Sequence, residues 1–518
     1  MRFAVLDLGS TSFQLLVTEA SIDGSLTHIL RDRVILNLGS TLAAEGHIPE
    51  AESSRAGRVV RRFRDIAERA GARTILPIAT SALRDAANRP ELAMLLEEAA
   101  GAPIRFIDGI EEGRLVFEGI RASVALGVGP TLAFDLGGGS LEVVVGDGSG
   151  MRWAESFPLG AARLTTAIAR HDPMTRTERR EVKALVGELL LPVAETVQRL
   201  GPVRCVAAGG TAGALARLLA AKRWSPVPAS LNQATIELGE LRALSRALCD
   251  ASLEQRLAMP AMDARRADLL HVGAVVLLAA ASTLGATEIV HSEWGLREGV
   301  VIDELDLDLP STPDEIRTAS ISRLCCLWGL DEAHARGVRD VALLLFDETQ
   351  PLHHLGARER ELLADAAILH DIGVRVSPDH HHKHGSYLIE HAGLRGFSPD
   401  EIAIVSSLVR FHRGSGPKTS FPSYAALQGD DRQAAAVLIG LLRIAHGLRR
   451  GGDFDVEAIE VTARKGKLGI GVRGSSNPQA AAEEAQERAD VLSRALGVDV
   501  DVAVSDSAVA GKSPTASA

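Results

Sequence analysis

The sequence predicts an α/β protein in which two similar lobes are followed by an all-helical domain and a small α+β unit. The chain has 518 residues, which is too long for a single hydrophobic core. The two lobes are predicted from a segment that occurs twice, at Asp7–Val17 and Asp135–Val145, with five of eleven positions identical. Each copy follows a short apolar run and leads into another, which is typical of a strand, a tight turn and a returning strand.

Both turns have the composition of a phosphate-binding loop. Glycine lets the backbone approach a ligand closely, successive N–H groups form a concave anion site, and hydroxyl groups add donors. Asp7 and Asp135 stand where the first strand of each copy ends, and such a carboxylate can hold a divalent cation that neutralises phosphate. One copy alone would be an ordinary hairpin turn, whereas two copies predict a phosphate clamp. The predicted phosphate-binding residues of the two turns are Gly9, Ser10, Thr11, Ser12, Gly137, Gly138, Gly139 and Ser140.

A third loop supports the clamp. The apolar run Arg204–Ala208 opens into Gly209, Gly210 and Thr211, and a helical segment follows, so that a helix N-terminus is presented to the same cleft. A duplicated half-domain with a phosphate loop in each half resembles the actin-like superfamily of acetate and sugar kinases, heat-shock chaperones and actin. This resemblance implies a duplicated two-lobe fold with the ligand between the lobes.

The pattern along the chain predicts four folded regions and a tail. After the second lobe, residues 314–450 have almost no alternating segments, so an all-α domain is expected there. Beyond Gly451-Gly452, alternating segments return on both sides of a charged amphipathic helix at Gln479–Leu496. The predicted regions are lobe I at 1–126, lobe II at 127–305, the helical domain at 314–450, the α+β unit at 453–506 and a disordered tail at 507–518.

Composition restricts the possible partners and location. No run reaches the roughly 18 apolar residues that span a bilayer, and Met1 leads directly into a core strand, so no membrane partner and a cytoplasmic location are expected. The net charge of −11 argues against the coating of DNA or RNA. The four cysteines have neither metal-ligand spacing nor a disulfide pattern. A polyanionic substrate would need a local basic lining or metal ions.

The segment Gly109–Gly119 begins a helix with two acids, Glu111 and Glu112, in its first turn. Taken alone, these acids would only complement the helix dipole. Together with Ala79–Ala86, Asp135–Glu142, Arg266-Ala267-Asp268 and Gly295–Gly299, the segment resembles the exopolyphosphatase and guanosine pentaphosphate phosphohydrolase family. The resemblance extends over nearly the whole chain.

The resemblance implies a role for each charged residue. Glu112 would be the general base that activates water, and Glu142 would orient that water or share a metal. Asp7 and Asp135 would hold Mg²⁺, or Mn²⁺, on the phosphates. Arg84 would be a phosphate ligand or a surface ion pair, and Arg297 with Glu298 could equally be a buried structural pair. This set provides the in-line water, charge neutralisation and positioned carboxylate that phosphoanhydride hydrolysis needs.

Two positions depart from the family pattern. Thr11 stands where the family usually has Asn, which keeps a hydroxyl donor but loses an amide. Gly113 stands where the family usually has Ala. The first functional hypothesis is an exopolyphosphatase acting on inorganic polyphosphate, and the alternatives are a pppGpp 5′-phosphohydrolase using the same cleft and a non-hydrolytic sensor of either ligand. An actin-like kinase is disfavoured by the position of Glu112, and a homodimer is expected.

The helical domain looks like an HD-type phosphohydrolase domain, whose histidine and aspartate ligands bind divalent metals. The residues that carry this likeness are His334, His370, Asp371, His384 and His412. The final aspartate expected after Arg443-Ile444-Ala445 is His446, which favours a vestigial metal site or a scaffold over a second catalytic centre. The run His380–His382 is interpreted as a solvated loop. Basic residues near His412, among them Arg410, Arg413 and Lys418, could contact a long anionic chain.

Overall fold

The computed structural model describes residues 1–21, 26–308, 310, 312–449, 456–464, 466–474 and 477–505. The chain forms two compact units, residues 1–320 with 395–399 and residues 321–394 with 400–518. The predicted tail at 507–518, the Gly451-Gly452 boundary and parts of the 305–313 linker lie outside the described residues.

The first unit contains two sheets. Its strands are β1 (Arg2–Leu8), β2 (Ser12–Ala20), β3 (Leu26–Ile35), β4 (Thr74–Ala79), β5 (Arg105–Phe106), β6 (Thr131–Leu136), β7 (Leu141–Asp147), β8 (Gly150–Phe157), β9 (Arg204–Ala208), β10 (Thr235–Glu237) and β11 (Glu288–His291). The first sheet has the order β3-β2-β1-β4-β5 and the second β10-β11-β9-β6-β7-β8. In each sheet the strand that ends in the repeated Asp, β1 or β6, pairs antiparallel with the next strand and parallel with a later one. The mixed α/β architecture is thus confirmed, and the two copies of the repeat occupy equivalent positions.

Helices pack on both sheets of this unit. They are α1 (Leu38–Glu45), α2 (Glu50–Arg69), α3 (Ser81–Arg84), α4 (Arg89–Ala100), α5 (Gly109–Arg121), α6 (Ala161–Ala167), α7 (Arg176–Leu200), α8 (Gly209–Ala220), α9 (Leu238–Asp250), α10 (Leu253–Leu257), α11 (Leu270–Thr283) and α12 (Leu296–Leu305), and α13 (Pro313–Trp328) follows. The apolar α11 is almost wholly buried in the core of the second sheet, because its sequence is apolar on every side.

Two glycines allow α5 and α12 to approach until their backbones touch. A Cβ on Gly299 would overlap the carbonyl oxygen of Leu115, and a Cβ on Gly119 would overlap that of Gly295. Gly113 on α5 faces β7, where a Cβ would lie 3.1 Å from Val144 Cγ2. Position 113, where the family usually has Ala and this chain has Gly, therefore lies where α5 packs closely on the sheet.

The second unit begins with helices and ends with a small sheet. Its elements are α14 (Glu332–His353), α15 (Ala357–Leu369), a 3₁₀ helix (Ile372–Arg375), α16 (His381–His391), α17 (Pro399–Phe411), α18 (Pro422–Ala426), α19 (Gly429–Arg449), β12 (Val456–Arg464), β13 (Lys467–Gly474), α20 (Pro478–Gln486), α21 (Asp490–Leu496) and β14 (Asp499–Val504). The sheet has the order β12-β13-β14, in which the hairpin pairs antiparallel and β14 adds in parallel to β13.

The single helix predicted at Gln479–Leu496 is wrong, because the structure has two helices, α20 and α21, joined by a turn. Each of them docks on α19 at a glycine. A Cβ on Gly447 would lie 2.8 Å from Ala485 Cα, and a Cβ on Gly440 would lie 2.7 Å from Leu492 Cα. No helix of the described residues is long and apolar enough to cross a membrane.

Candidate active site

The two repeated turns lie against each other. A Cβ on Gly138 would overlap the Thr11 hydroxyl, and a Cβ on Gly139 would lie 2.8 Å from Ser10 Oγ. The hydroxyls of Ser10 and Ser81 share a buried hydrogen bond of 2.8 Å. Side chains at Gly138 and Gly139 would collide with the first turn, so the close approach of the two turns requires glycine at both positions. The two turns face each other, as expected from the repeat.

The third loop completes the contact. Gly209 has a φ of +81°, and any Cβ there would overlap the Asp135 carboxylate. At Gly210 a Cβ would overlap the guanidinium of Arg266. The Thr211 hydroxyl donates to the carbonyl of Leu136 at 3.2 Å, which ties the start of α8 to the end of β6. Because α8 begins at Gly209, its free N–H groups are available to an anion at this point.

These elements enclose a cavity of about 290 Å³. Nearly every residue predicted to bind phosphate or metal lines it, including Asp7, Asp135, Glu112 and all residues of the three loops named above. Two predicted residues, Arg84 and Glu142, are not among the lining residues. The apolar part of the lining consists of aliphatic side chains, and no Trp, Tyr or Phe of the described residues belongs to it.

Carboxylates crowd one wall of this cavity. Burial, opposed by Arg297 and reinforced by the charge of Asp135, raises the pKa of Asp7 to about 6. Burial likewise raises the pKa of Asp135 to about 6, against the lowering effect of Arg266 and Arg297. Burial and then the charges of Glu142 and Asp135 raise the pKa of Glu112 well above its ordinary value. Each of these acids is hard to ionise without a cation beside it.

The two acids at the start of α5 have different environments. The Asp108 side chain caps the helix by accepting from the Glu111 N–H at 2.8 Å. Glu111 is held outside the cavity by Arg114, at 2.8 and 2.9 Å, and by Arg105. Glu112 is buried, lines the cavity, and its Oε2 has no hydrogen-bond partner among the described residues. The structure thus separates a structural acid from an acid that is free for chemistry.

Glu142 lies behind Glu112 and not on the cavity wall. Its side chain is 1% exposed and accepts a hydrogen bond of 2.9 Å from the Ser156 hydroxyl. Burial and the charge of Asp135 raise the pKa of Glu142 to about 7, although hydrogen bonds from Ser140 and Ser156 oppose the shift. Glu142 is therefore not placed to contact a substrate in the cavity. Its charge instead raises the pKa of Glu112.

The arginines that line the cavity do not include Arg84, which the sequence offered as a phosphate ligand. The guanidinium of Arg84 donates to the Ile107 carbonyl at 2.8 Å and pairs with Asp85 at 3.1 Å, so the surface-pair alternative describes it better than the phosphate-ligand alternative. The arginines that do line the cavity are Arg31, Arg33, Arg266 and Arg297. Burial and the neighbouring Arg33 lower the pKa of Arg266 to about 10, although the charges of Asp263 and Asp135 oppose the shift.

Two of these arginines could have been found from their spacing in the sequence. Arg31 and Arg33 are two apart on β3, so they share one face, and the register places Arg33 opposite Gln14 of the first phosphate loop strand. A buried pair of Arg297 with Glu298 was one alternative from the sequence, and the structure gives Glu298 two further partners. Glu298 contacts His28 at 3.2 Å and Arg31 at 3.5 Å. Burial alone would raise the pKa of Glu298, but the close approach of His28 and the charges of Arg297 and Arg31 lower it to about 2.

The residues at this wall fit a divalent cation. Asp7 and Asp135 present carboxylate oxygens, the donors that Mg²⁺ and Mn²⁺ prefer, and a bound cation would offset the cost of burying these carboxylates in their charged form, which raises their pKa values. The unpartnered Glu112 oxygen beside them leaves a position for water. The wall can therefore hold a metal ion, a water molecule and the end of an anionic chain.

In the second unit, the structure brings together four of the five residues predicted for an HD-type site: His334, His370, Asp371 and His412. His384 does not belong to either group of metal-ligand atoms found there, and His381 takes the remaining place. The interpretation of His381 as part of a solvated loop is wrong, because α16 begins at this residue and buries it. A separate cavity of about 370 Å³ in this unit is lined by basic residues, among them Lys383, Arg410, Arg413 and Lys418.

Comparison with known proteins identifies the family. A model of the Ppx/GppA phosphatase family matches residues 17–308, and a model of Ppx/GppA phosphatase domain III matches residues 316–473. The chain belongs to the Ppx/GppA phosphatase family. Members of this family hydrolyse phosphoanhydride bonds and generally depend on a divalent metal, so this protein is a phosphoanhydride hydrolase.

Individual relatives support the family from both sequence and structure. A guanosine-5′-triphosphate,3′-diphosphate pyrophosphatase of Aeromonas hydrophila is 28% identical over 445 residues, 86% of each chain. The crystal structure of an exopolyphosphatase from Cytophaga hutchinsonii is 26% identical, with a TM-score of 0.56 over 60% of this chain and all of that one. A Ppx/GppA family member from Aquifex aeolicus is also 26% identical, with a TM-score of 0.51 over 59% of this chain and 97% of its own.

Proposed function

We propose that this protein is an exopolyphosphatase that removes the terminal phosphate of inorganic polyphosphate. The observation that carries the proposal is Glu112, a buried carboxylate with an unpartnered oxygen and a raised pKa that opens into a cavity lined by phosphate-binding turns and arginines. A carboxylate with a raised pKa and a free oxygen facing the cavity is a stronger proton acceptor than an ordinary Glu and is suited to act as a general base.

In the proposed reaction, water attacks the terminal phosphorus in line with the bond to the bridging oxygen. The oxygen–phosphorus bond to the water forms as the phosphoanhydride bond breaks, and Glu112 takes the proton of the water. Turn N–H groups and the guanidinium groups of Arg33, Arg266 and Arg297 bind the non-bridging oxygens and stabilise their growing charge. Orthophosphate and a chain shorter by one unit are the products.

Asp7 and Asp135 would hold the metal ion, Mg²⁺ or Mn²⁺. When bound, the ion would neutralise charge on the phosphate oxygens and orient the terminal group. For Glu142 we propose a positioning role, since it lies behind Glu112 and raises the pKa of that residue instead of lining the cavity. We prefer this positioning role to the alternative in which Glu142 shares the metal ion.

Anion contacts in the lining support polyphosphate as the substrate. They come from the three glycine-rich turns and from the guanidinium groups of Arg33, Arg266 and Arg297. The second candidate is pppGpp 5′-phosphohydrolase activity. It is favoured by the relative from Aeromonas hydrophila, a guanosine-5′-triphosphate,3′-diphosphate pyrophosphatase that matches across 86% of this chain.

The test is a phosphate-release assay on long polyphosphate, tripolyphosphate and pppGpp, each with and without Mg²⁺. We expect the highest kcat/KM on long polyphosphate. A higher kcat/KM on pppGpp would favour the second candidate, and substrate binding without phosphate release would favour a sensor.

Glu112→Gln should retain substrate binding and lose about 10²–10⁴ in kcat, the range for removal of a general base. Its matched control is Glu111→Gln, which alters the adjacent acid of the same helix turn and should keep kcat within a few-fold. Near-normal turnover of the Glu112→Gln variant would exclude it as the base.

We also propose an HD-like helical domain, a homodimer and a cytoplasmic location. The first is supported by the His370-Asp371 pair among the helices of the second unit. Light scattering coupled to size-exclusion chromatography tests the dimer by giving the mass of the particle against a chain mass of 54.8 kDa.

A further inference from the structure

The segment 395–399 belongs to the first unit, although the residues on both sides of it in sequence belong to the second. Its main-chain N–H groups hold it there. The Arg395 N–H donates to the Ser320 hydroxyl at 2.9 Å, and the Gly396 N–H donates to the Ser123 carbonyl at 3.2 Å. Two consecutive residues of the segment are thus fixed within the first unit.

The Arg395 side chain is buried and contacts two parts of the chain that carry cavity residues. Its guanidinium donates to the Ala122 carbonyl at 3.3 Å, at the C-terminal end of the helix α5 that carries Glu112. Its Cζ lies over the Trp294 ring, 4.8 Å from the ring centroid, which is a cation–π contact. Burying a guanidinium is costly, and these contacts help to offset the loss of its hydration. Arg395 therefore joins the end of α5 to Trp294.

Trp294 leads directly into the wall of the phosphate cavity. The four residues that follow it line the cavity and include the start of α12, and Arg297 is one of them. The Trp294 ring also lies 5.3 Å from that of His28, whose Nε2 is 3.2 Å from a Glu298 carboxylate oxygen. Glu298 in turn accepts from the Gly295 N–H at 3.1 Å. The packing of Trp294 therefore helps to fix the start of α12, and with it the place of Arg297.

A chain of hydrogen bonds joins the same elements a second time. The Ser123 carbonyl, which accepts from Gly396, also accepts from the Asn232 side-chain amide at 2.8 Å. The Ser292 hydroxyl donates its one proton to the Trp294 carbonyl at 2.7 Å, so it accepts from the Ser123 hydroxyl at 3.1 Å. Both serines are buried. The segment is therefore linked to the Trp294 main chain as well as to its ring.

We propose that Arg395 is a positioning residue of the phosphate cavity, which acts through Trp294 and the start of α12 on Arg297. Arg395 itself is not among the residues that line the cavity. Removal of its guanidinium would free the Trp294 ring on the side that Arg395 covers, and Arg297 would then be held less firmly against the phosphate oxygens. The proposal rests on the proposed function in one respect, that the cavity binds the phosphates, and not on the choice between polyphosphate and pppGpp.

The competing explanation is that Arg395 only anchors the segment 395–399. Removal of an anchor would lower the free energy of unfolding and leave KM unchanged. Removal of a positioning residue would weaken the binding of phosphate in the cavity. Because Arg297 would contact phosphate in the ground state as well as in the transition state, the expected effect is a higher KM with little change in kcat.

The experiment is a double-mutant cycle on KM in the full-length protein, with the better of the two substrates. Arg395→Met removes the charge and should raise KM by about 10-fold, the loss expected for one weakened charge-assisted hydrogen bond, while kcat changes by less than about threefold. Arg297→Met should raise KM by at least as much. In the Arg297→Met background, Arg395→Met should have no further effect, because the residue through which it acts is gone.

Two more variants serve as controls. Arg395→Lys keeps a cation for Trp294 and should recover most of the affinity. Arg223→Met is the matched control, because Arg223 lies over another tryptophan ring, that of Trp224, at 5.1 Å and is not among the residues that line the cavity. Its KM should equal that of the wild type. An unchanged KM in the folded Arg395→Met variant, or additive effects of Arg395→Met and Arg297→Met, would overturn the proposal.

A binding measurement separates this proposal from the proposed function. If the wild type hydrolyses neither substrate, the proposed function fails, and isothermal titration calorimetry with tripolyphosphate measures the same cycle on Kd. If the Arg395→Met variant does not fold, Arg395→Gln takes its place, because it keeps a donor for the Ala122 carbonyl and loses only the charge. A Kd for tripolyphosphate that is equal in the wild type and in the Arg395 variant would overturn the positioning role.

Discussion

Magnesium binding at the phosphate cavity should displace protons near pH 6. The perturbation is pH itself, acting on Asp7 and Asp135, whose pKa values burial raises to about 6. A raised pKa means that these acids are protonated at a pH where an ordinary Asp is ionised. A metal ligand must be ionised, so each must release its proton before Mg²⁺ can bind.

The size of the effect follows from the two pKa values. At pH 6 each Asp is about half protonated, so binding of one Mg²⁺ should release about one proton in all, whereas Asp residues of ordinary pKa would release about 0.02. Glu142 would add to this release if it ionised on metal binding, because its pKa is raised to about 7. From pH 8 to pH 5, protonation of the two Asp residues should weaken the apparent Mg²⁺ affinity by about 10².

Isothermal titration calorimetry counts these protons directly. Mg²⁺ is titrated at pH 6 into the full-length protein in Mes and in Bis-Tris buffers, which differ in ionisation enthalpy. Asp135→Asn should reduce the release by about half a proton, and Glu111→Gln should leave it unchanged. Release of fewer than about 0.2 protons at pH 6, or equal release from the wild type and the Asp135→Asn variant, would refute the assignment of these carboxylates as a proton-coupled metal site.

Three further outcomes test other parts of the structure. Glu142→Gln should shift the acid limb of the kcat profile to lower pH, because it removes a charge that raises the pKa of Glu112; an unmoved limb would contradict this coupling. Gly299→Ala should lower the free energy of unfolding in urea by about 1–3 kcal/mol through overpacking, whereas Gly187→Ala, which has open space around it within α7, should raise it by up to about 1 kcal/mol; equal effects would count against the helix contact. Lys418→Gln, in the basic cavity of the second unit, should raise KM for long polyphosphate and reduce its salt dependence while leaving tripolyphosphate unchanged; no difference between the two substrates would show that this cavity binds no chain.

The phosphate turns could be predicted because their requirements are local. A strand that ends in Asp, followed by glycine and hydroxyl residues, specifies a turn whose backbone groups are free to bind an anion, and the repeat predicted that two turns would meet. Glu112 was likewise identified from its position in the family motif and its place in the first turn of a helix. These features depend on neighbours in sequence, so the sequence contains them.

The errors concern side chains whose partners are distant in sequence. For Arg84 the sequence left a phosphate ligand and a surface ion pair open, and the structure places its guanidinium on the carbonyl of Ile107. His384 was preferred to His381 because spacing alone does not show which turn of α16 reaches Asp371. That choice is made by Gly373, where a Cβ would overlap the His381 carbonyl and push the start of α16 away. A missing side chain in one segment thus decides which histidine of another segment lies beside Asp371.

The backbone contact between α5 and α12 has a consequence for how the enzyme can move. Glu112 is carried by α5 and Arg297 by α12, and the two helices meet main chain to main chain at Gly119 and Gly299. An ion pair of 2.6 Å between Arg114 of α5 and Asp303 of α12 joins them further. Helices in direct main-chain contact cannot slide past each other without collision. Any movement of α5 should therefore carry α12 with it, so that Glu112 and Arg297 keep their relative positions.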